Sequence, residues 1–347
     1  MITKFPFIII SLTALTFSCN KKDHCKGDTT EKIFVANEES GSVTVLDAEN
    51  GEVLNTVDLS IKDEMYMAHN IQSNPDHEFV WITAIPMHGH GEELLMKMNS
   101  RREKVVQTIS LGEEQHLAHV VTDESGEFVY ATANETGKVF QVDAENMEVK
   151  QSFDLGASSG PHGMRFMNGK LYVACMNSFE LAIVDPASGT IEKINVGGIA
   201  VQTAVLPSIN AAFVSVYDLK EVVKYDIASG DTTRIPLPAG SQGPIQLYPS
   251  PDNKKIYVCD QGIVNGNPAS NKLYVIDTDS NTVISTITVG NGAHGVVTNH
   301  DGTKIFVTNL ADNTVSVISA ETLTVIQTID VGTAPNGITS LLCACEE

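Results

Sequence analysis

Basic residues are scarce in this chain. Lys and Arg together number 22 of 347 residues, against 43 for Asp and Glu, so the formal net charge is -21 at pH 7. A surface that binds nucleic acid needs clustered cations to contact phosphates, and this shortage excludes nucleic acid as a partner. The acidic balance is compatible with cation binding and equally with solubility alone.

Signatures of several enzyme classes are also lacking. The sequence contains no Gly-x-Ser-x-Gly, no Walker-type phosphate loop and no dinucleotide-binding glycine fingerprint. It contains no Cys-x-x-Cys-His, which excludes a covalent c-type haem. We therefore name no catalytic residue from the sequence and expect a binding protein rather than an enzyme.

A single long apolar run is present, and it lies at the N-terminus. Lys4 precedes an apolar segment, residues 5–15, that is too short to remain in the membrane as a helix and is typical of a signal peptide. The segment ends in Thr16-Phe17-Ser18-Cys19, which resembles a bacterial lipobox, although Thr16 stands where Leu is usual. The following Asn20-Lys21-Lys22-Asp23 resembles the start of mature Bacteroidetes lipoproteins.

This resemblance implies that Cys19 is diacylated and becomes the mature N-terminus. We therefore expect a lipoprotein signal peptide at residues 1–18 and a lipidated linker at residues 19–31. The protein would then lie in the cell envelope, with the outer membrane as a partner through its N-terminal lipid. Ordinary secretion, with Cys19 removed or oxidised, is the alternative.

One sequence unit recurs seven times between residue 32 and the C-terminus. Each copy contains runs of alternating polar and apolar residues, rich in Val, Ile, Thr and Tyr, which are typical of half-buried strands. A polar marker recurs about every 45 residues, at Asp47, Asn99, Asp143, Asp185, Asp226, Asp277 and Ser319. The period and the Gly, Asn and Asp turns predict an all-β fold over residues 32–347, a seven-bladed β-propeller of four-stranded antiparallel blades.

The two ends of the repeat array are predicted to complete each other. We label the strands of a blade A to D, with A innermost. The first copy begins at strand B, residues 33–36, and has no strand A, whereas the chain ends in a strand A without partners, residues 336–342. Pairing of these two strands would close the ring and remove the exposed sheet edges.

The repeats resemble the YVTN-repeat (YncE-like) propeller family. The resemblance is carried by Phe306-Val307-Thr308-Asn309 and by Asn313-Thr314-Val315-Ser316-Val317-Ile318, and it covers nearly the whole chain after the signal peptide. It implies the fold and not a function, because propellers host unrelated activities. The family includes surface proteins and periplasmic binding proteins. The single Trp81 does not match the repeated Trp motif of quinone-cofactor propellers.

Histidines recur where strand A begins, a place that rings the mouth of the central channel in a propeller. The residues predicted to open the seven A strands are His69, His119, His162, Gln202, Ile245, His294 and Asn336. Loops on the same face add further histidine and thioether side chains, namely His88, His90, His116, Met65, Met67 and Met87. Imidazole and thioether groups favour copper or zinc over calcium or magnesium.

Two hypotheses of function follow. In the first, the protein is a binding or scaffold protein that takes a protein, a glycan or a small ligand on its top face, with Met65, Met67, Met87, Gln202 and Asn336 at the channel mouth. In the second, the protein is a metal-binding protein or a metalloenzyme. Copper or zinc then binds to His69, His119 and His162, with His88 or His90 closing over the ion and His116 and His294 as further candidates. The structural alternative is that these histidines only form hydrogen bonds to the backbone around the channel.

The cysteines are predicted to be structural. Cys25 lies just before the first strand B, and Cys343 and Cys345 lie at the end of the closing strand A. In the oxidising envelope a disulfide from Cys25 to Cys345 or Cys343 would staple the ring and contribute ~2–4 kcal/mol. Cys175 and Cys259 lie in non-adjacent blades and are expected not to pair.

Overall fold

The strands of each repeat form one antiparallel sheet in the computed structural model, which describes residues 30–263 and 266–343. Seven four-stranded sheets are present, and the predicted propeller is confirmed. A short 3₁₀ turn, Pro207–Ile209, lies in a loop between two strands. No helix in this part of the chain is long and apolar enough to cross a membrane.

The first blade combines the two ends of the chain, and the other six blades each use four consecutive strands. Blade 1 consists of β1 (Thr30–Asn37), β2 (Ser42–Asp47), β3 (Val53–Asp58) and β28 (Pro335–Cys343). Blades 2 and 3 consist of β4 (Tyr66–Ser73), β5 (Phe79–Pro86), β6 (Glu93–Asn99), β7 (Lys104–Gly112), β8 (Leu117–Thr122), β9 (Phe128–Ala133), β10 (Lys138–Asp143) and β11 (Glu148–Asp154).

The remaining blades follow the same order from strand A to strand D. Blades 4 and 5 consist of β12 (Pro161–Met167), β13 (Lys170–Cys175), β14 (Glu180–Val184), β15 (Ile191–Asn195), β16 (Ala200–Leu206), β17 (Ala211–Val216), β18 (Glu221–Asp226) and β19 (Thr232–Pro236). Blades 6 and 7 consist of β20 (Pro244–Pro249), β21 (Lys255–Gly262), β22 (Ala269–Asp277), β23 (Thr282–Thr288), β24 (Ala293–Thr298), β25 (Lys304–Asn309), β26 (Thr314–Ser319) and β27 (Thr324–Asp330).

The last strand closes the ring, as predicted. β28 pairs antiparallel with β1, with Phe34 opposite Thr339. Each A strand contacts the A strand of the next blade, and β28 contacts both β24 and β4, so the seven A strands surround a central channel. Pairing through the final strand leaves no open blade in the described ring.

Several predictions at the chain ends lie outside the described residues. These are the signal peptide, the lipidation at Cys19 and the linker up to residue 29. Cys25 and Cys345 also lie outside them, and nothing is described of the Cys343 side chain, so the disulfide stays a prediction. Cys175 and Cys259 are free and buried, which confirms that they do not pair with each other.

The repeated polar marker closes the turn between strands C and D. The Asp47 carboxylate accepts the backbone N–H groups of Glu49 and Asn50 at 2.8 and 3.0 Å. Asp143 and Asp226 cap the corresponding turns of their blades in the same way. Aspartate recurs at this position because its side chain stabilises a tight turn that a blade needs.

The core lies between neighbouring blades. Phe34 of blade 1 packs with Ile82 and Met96 of blade 2, and Phe213 of blade 5 packs with Tyr274 of blade 6. Complete burial of such a side chain stabilises the fold by roughly 1.5–3 kcal/mol relative to exposure. Strand D of each blade is largely exposed, so the buried part of every blade is the part nearer the channel.

Strand A carries a bulge near its start in blades 2–7. In blade 3, Leu117 pairs with Ala133 and Val120 pairs with Ala131, so two residues of β8 oppose one residue of β9. The registers of β4, β12, β16, β20 and β24 shift at the same place. Bulges change the direction of side chains and are frequent beside functional sites.

Candidate ligand site at the channel mouth

The strand pairs correct the predicted ring of four equivalent histidines. When the blades are aligned on their A–B pairs, His69, His162 and His294 share one position. His119 stands one residue further along its strand, as does Gln202. Both positions lie at the bulge of strand A, where simple alternation does not show which way each side chain faces.

Three imidazoles from consecutive blades meet at the mouth. The ring centroid of His69 lies 5.4 Å from that of His116 and 6.1 Å from that of His162, and both pairs are edge-to-face. His69 and His162 begin β4 and β12, whereas His116 lies in the loop before β8. His116, rather than His119, is therefore the histidine of blade 3 that lies beside His69.

A carboxylate that the sequence reasoning did not identify completes this group. Glu38, in the loop between β1 and β2, lies 3.2 Å through Oε1 from His69 Nδ1. Its Oε2 accepts a hydrogen bond of 2.6 Å from Asn336 Nδ2, which places the predicted mouth residue Asn336 beside it. We call Glu38, His69, His116, His162 and His294 the mouth cluster.

Glu38 and His69 form an ion pair. Burial by itself would raise the pKa of Glu38, but the charge and hydrogen bond of His69 and the hydrogen bond of Asn336 lower it to about 2. Burial by itself would lower the pKa of His69, but the Glu38 carboxylate outweighs it and raises that pKa above its ordinary value. The pair therefore carries opposite charges below the pKa of His69 and above that of Glu38.

The other imidazoles of the mouth cluster are neutral. Desolvation, followed by the charge of His69, lowers the pKa of His116, lowers that of His162 to about 3 and lowers that of His294 to about 4. His162 Nδ1 donates a hydrogen bond of 3.0 Å to the carbonyl oxygen of Val201. Because Nδ1 holds the proton, His162 Nε2 has a lone pair for a ligand.

The loop that carries His116 is held by a buried carboxylate. Glu93 accepts the backbone N–H groups of Gln115, His116 and Leu117 at 2.8, 2.9 and 2.8 Å. The backbone of His116 has a φ of 48°, a left-handed conformation that costs a residue other than glycine on the order of 1–3 kcal/mol. The three hydrogen bonds offset this strain and keep the imidazole beside His69.

His119 is used differently from the mouth cluster. Its Nε2 accepts a hydrogen bond of 3.0 Å from Arg165 Nη1, and its Nδ1 is buried without a partner in the described ranges. Burial, followed by the charge of Arg165, lowers the pKa of His119 well below its ordinary value. The lone pair predicted to bind a metal is therefore already occupied, and His119 does not join His69 and His162 as a ligand in this geometry.

The histidines and methionines predicted in the loops lie at the rim of the channel mouth. His88 and His90 are exposed in the loop between β5 and β6, and no hydrogen bond or ring contact joins either to the mouth cluster in the described part of the chain. Met65 is exposed, and Met67 and Met87 are partly buried. The structure thus does not bring His88 or His90 over the channel.

Gln202 has a structural role between blades. Its Nε2 donates to Gln246 Oε1 at 3.0 Å, and its Oε1 accepts the N–H of Thr203 at 2.8 Å. Both polar atoms of the buried amide are satisfied, so Gln202 has little to offer a ligand. In the position equivalent to His162, blades 5 and 6 carry Val201 and Ile245.

The mouth cluster fits a metal ion in part. Two imidazoles that share one zinc have ring centroids about 5–6 Å apart, since Zn–N distances are about 2.0–2.1 Å. The separations around His69 agree with this. As the side chains stand, however, no group of three or more His, Cys, Asp or Glu in the described residues is arranged to hold a metal ion. Binding by three imidazoles would therefore require a ring to rotate.

Thiols do not contribute to this site. Burial raises the pKa of Cys175 to about 12 and also raises that of Cys259. Both stay protonated, whereas a metal needs the thiolate. The mouth cluster is thus a nitrogen and oxygen site.

Glu38 and Arg165 are not predicted as site residues from the sequence, although each differs in charge from the residues at the same position of other repeats. Glu38 is an acid two residues past strand-B residue Ala36, where the other blades have neutral residues such as Asn134. Arg165 is a charge at a strand-A position that carries Val121 in blade 3. An alignment of the blades column by column would have shown both as exceptions.

Known structures share the fold. Virginiamycin B lyase from Staphylococcus aureus matches with a TM-score of 0.67 at 15% identity, over 91% of this chain and 100% of that one. Apo AztD from Citrobacter koseri matches with a TM-score of 0.66 at 13% identity, over 92% and 100%. Hydrazine synthase from Kuenenia stuttgartiensis matches with 0.67 at 16%, over 80% and 96%. No family model and no curated protein matches the chain.

Likeness at this level of identity shows the propeller fold alone. The three proteins have different names and activities, and a propeller scaffold does not determine which ligand it takes. The function of this chain therefore depends on the residues of its own channel.

Proposed function

We propose that this protein is an envelope lipoprotein of the YVTN-repeat type that binds a ligand at its channel mouth, and that the ligand is a copper or zinc ion. The observation that carries the proposal is how two imidazoles are held. His69 engages the Glu38 carboxylate and His162 engages the Val201 carbonyl, each through Nδ1. Histidines that ligate metals are typically held in this way, and His69 would release its Nε2 proton when the ion binds.

His116 supplies the third nitrogen. Its ring lies 5.4 Å from that of His69, and more than a third of the residue is exposed, so the ring has room to turn towards Nε2 of the other two. Three imidazoles with an open fourth position are a common set for zinc and suit a site that takes up and releases its ion. Glu38 compensates part of the charge that the ion brings.

The fold does not require these polar groups. Blades 5 and 6 complete the same strand with Val201 and Ile245 in the position of the ring histidines. Burial of a polar imidazole such as His294 is less favourable than burial of an apolar side chain in the same position. A cluster that costs stability where apolar residues would serve is better explained by binding than by packing.

Isothermal titration with zinc and with copper tests this proposal, on protein purified without an affinity tag. We expect binding in the wild type, and a loss of at least ~10-fold in affinity for His116→Ala because one ligand is gone. His300→Ala is the matched control, since His300 is exposed on the opposite face. Wild-type binding no tighter than ~0.1 mM would overturn the proposal.

The membrane anchor has a separate test. Labelled fatty acid should be incorporated into the wild type, and Cys19→Ala should release the protein from membranes, because Cys19 is the residue that the lipobox resemblance marks for acylation. Cys25→Ala is the control for loss of a nearby cysteine. A wild-type protein that is recovered without an acyl group would contradict the anchor.

A second candidate function is recognition of a larger partner on the top face. Phe179, Leu219 and Ile263 lie in the B–C loops of three consecutive blades beside the mouth, and they are 42%, 46% and 39% exposed. Exposed apolar side chains grouped on a loop face are typical of contact with a protein or a glycan. Cross-linking in cells from a photoreactive residue at Leu219, with Val53 on an outer strand as the control, tests this candidate, and equal labelling at both positions would count against it.

A further inference from the structure

Arg165 is a cation in the innermost strand of blade 4, at a position where its neighbours are apolar. It follows Met164 on β12, and the equivalent residues of the adjacent blades are Val121 and Ala204. Part of its side chain is reached by solvent. The channel is therefore open to water at this depth.

The hydrogen bonds of Arg165 leave one side of the guanidinium free. Nη1 donates to His119 Nε2 at 3.0 Å and to the carbonyl oxygen of Met164 at 2.9 Å, which uses both of its hydrogens. No hydrogen bond from Nε or Nη2 to a described residue is present. This pair of N–H groups is the edge with which a guanidinium binds a carboxylate or phosphate through two parallel bonds.

No described carboxylate balances the charge of Arg165. Some partly buried cations have acidic partners, such as Lys32 with Glu103 and Lys193 with Glu180, but Arg165 takes part in none of the ion pairs of the described chain. Burial lowers its pKa to about 10, so it remains a cation near neutral pH.

Lys97 is also buried without an ion pair, but its ammonium group donates to the carbonyl oxygen of Ala144 and lies over the rings of Phe79 and Trp81. Arg165 differs because two of its N–H groups have no acceptor among the described residues, so they are left for an anion from outside.

A second donor lies at the same level of the innermost strands. Tyr248 occupies on β20 the position that Arg165 occupies on β12, two blades further round the ring. The charge of Arg165 acts on the Tyr248 phenol, whose pKa burial raises and Arg165 lowers in part. The hydroxyl group has no hydrogen-bond partner in the described residues, and the side chain is partly exposed. The charge of Glu31 also acts on Tyr248, but Glu31 is not among the groups that shift Arg165.

We infer that Arg165 and Tyr248 form an anion site inside the channel, distinct from the mouth cluster, which takes a small molecule through a carboxylate or phosphate group. The Nε and Nη2 groups of Arg165 bind the anion on one side, and the Tyr248 hydroxyl group donates from the other. His119 is a positioning residue, because its neutral Nε2 orients the guanidinium without contacting the ligand.

Titration calorimetry of the full chain, purified without an affinity tag, with sodium phosphate and with sodium acetate tests the site, with sodium chloride added to equal ionic strength. We expect saturable binding of at least one anion, weakened at least ~10-fold in Arg165→Met and to a smaller extent in Arg165→Lys, which keeps the charge but not the paired donors. Tighter binding of phosphate or of acetate assigns the ligand class.

Two results would overturn the inference. One is that neither anion binds more tightly than ~10 mM in the wild type. The other is that Arg165→Met retains the wild-type affinity. Thermal unfolding of the same Arg165→Met protein, followed by circular dichroism, shows whether it is folded independently of any ligand. If the wild type binds an anion but does not bind zinc, the proposed function fails and the anion site still stands.

Discussion

The mouth and the interior of the channel each contain one cationic side chain, and only the mouth balances it. Glu38 lies 3.2 Å from His69, whereas Arg165 forms no ion pair with any described carboxylate. The mouth also carries neutral imidazoles with lone pairs, while the interior directs N–H and O–H donors at the channel. The two regions are therefore suited to ligands of opposite charge, a metal cation outside and an anion within.

The difference between the two regions is whether a charged side chain has a partner of opposite charge in the chain. A charge whose partner is in the chain, like that of His69, fixes the direction of a side chain. A charge without a partner in the chain leaves a place for a ligand. The neutral residues Val201 and Ile245 elsewhere in the ring show that the propeller itself needs neither arrangement.

Acid should destabilise the mouth through its neutral imidazoles, as it should the interior through His119. The folded chain holds His294 at a pKa of about 4, below the ordinary 6.5, so the unfolded chain takes up a proton that the folded chain does not. Stability should fall as pH falls from 6.5 towards 4, by on the order of 3 kcal/mol for this residue. Denaturant unfolding at pH 8 and pH 4.5 should show a smaller fall in His294→Gln than in the wild type. An equal fall in both proteins would contradict the assignment.

Removing the balancing carboxylate should have the next largest effect. Glu38→Gln should lower the free energy of unfolding by about 2 kcal/mol, because a partly buried imidazolium loses its partner. The low pKa of Glu38 contributes stability above pH 4.5 that is lost as pH falls towards 2, and the raised pKa of His69 contributes stability below pH 6.5 that is lost as pH rises through it. The difference from wild type should therefore be largest between pH 4.5 and 6.5.

The control for this substitution is Glu39→Gln, which removes an adjacent exposed carboxylate. It should change stability by less than ~0.5 kcal/mol at any of these pH values. If Glu39→Gln and Glu38→Gln have the same effect, the pair with His69 does not stabilise the mouth.

The smallest effect is expected at the rim. His88→Ala and His90→Ala, alone or together, should change the free energy of unfolding by less than ~0.5 kcal/mol, because both side chains are exposed and contact no part of the mouth cluster. Zinc affinity, measured by titration, should also stay within about twofold of the wild type. A larger loss would mean that the loop between β5 and β6 closes over the ion, as the sequence predicted.

The fold was predictable because its evidence is periodic. Alternating strands and a polar marker such as Asp47 recur in every blade, and the marker recurs for the local reason that it caps a turn. Closure by β28 followed from counting, since one strand was missing at one end and one was left over at the other. Local patterns of this kind survive in the sequence of a single chain.

The site was predictable only in part because its contacts are not local. The sequence predicted one strand position for His69, His162 and His294, and the strand pairs agree, but His119 stands one residue further along its strand, where Arg165 donates to it. Glu38 reaches Asn336 across 298 residues, a contact that exists only once the ring has closed. Alternation cannot show a bulge, and a repeat cannot show which exceptions in different blades will meet.

Anomalous diffraction from crystals soaked in zinc tests the central claim most directly. The mouth cluster is expected to give a peak within about 2.0–2.1 Å of Nε2 of His69 and His162, with the ring of His116 turned towards it. The same soak of His116→Ala should give a weaker peak there, and His119→Ala should leave the peak unchanged. A peak at His88 and His90 instead, or the absence of any peak at the channel mouth of a crystal with zinc elsewhere, would contradict the claim that this cluster is the binding site.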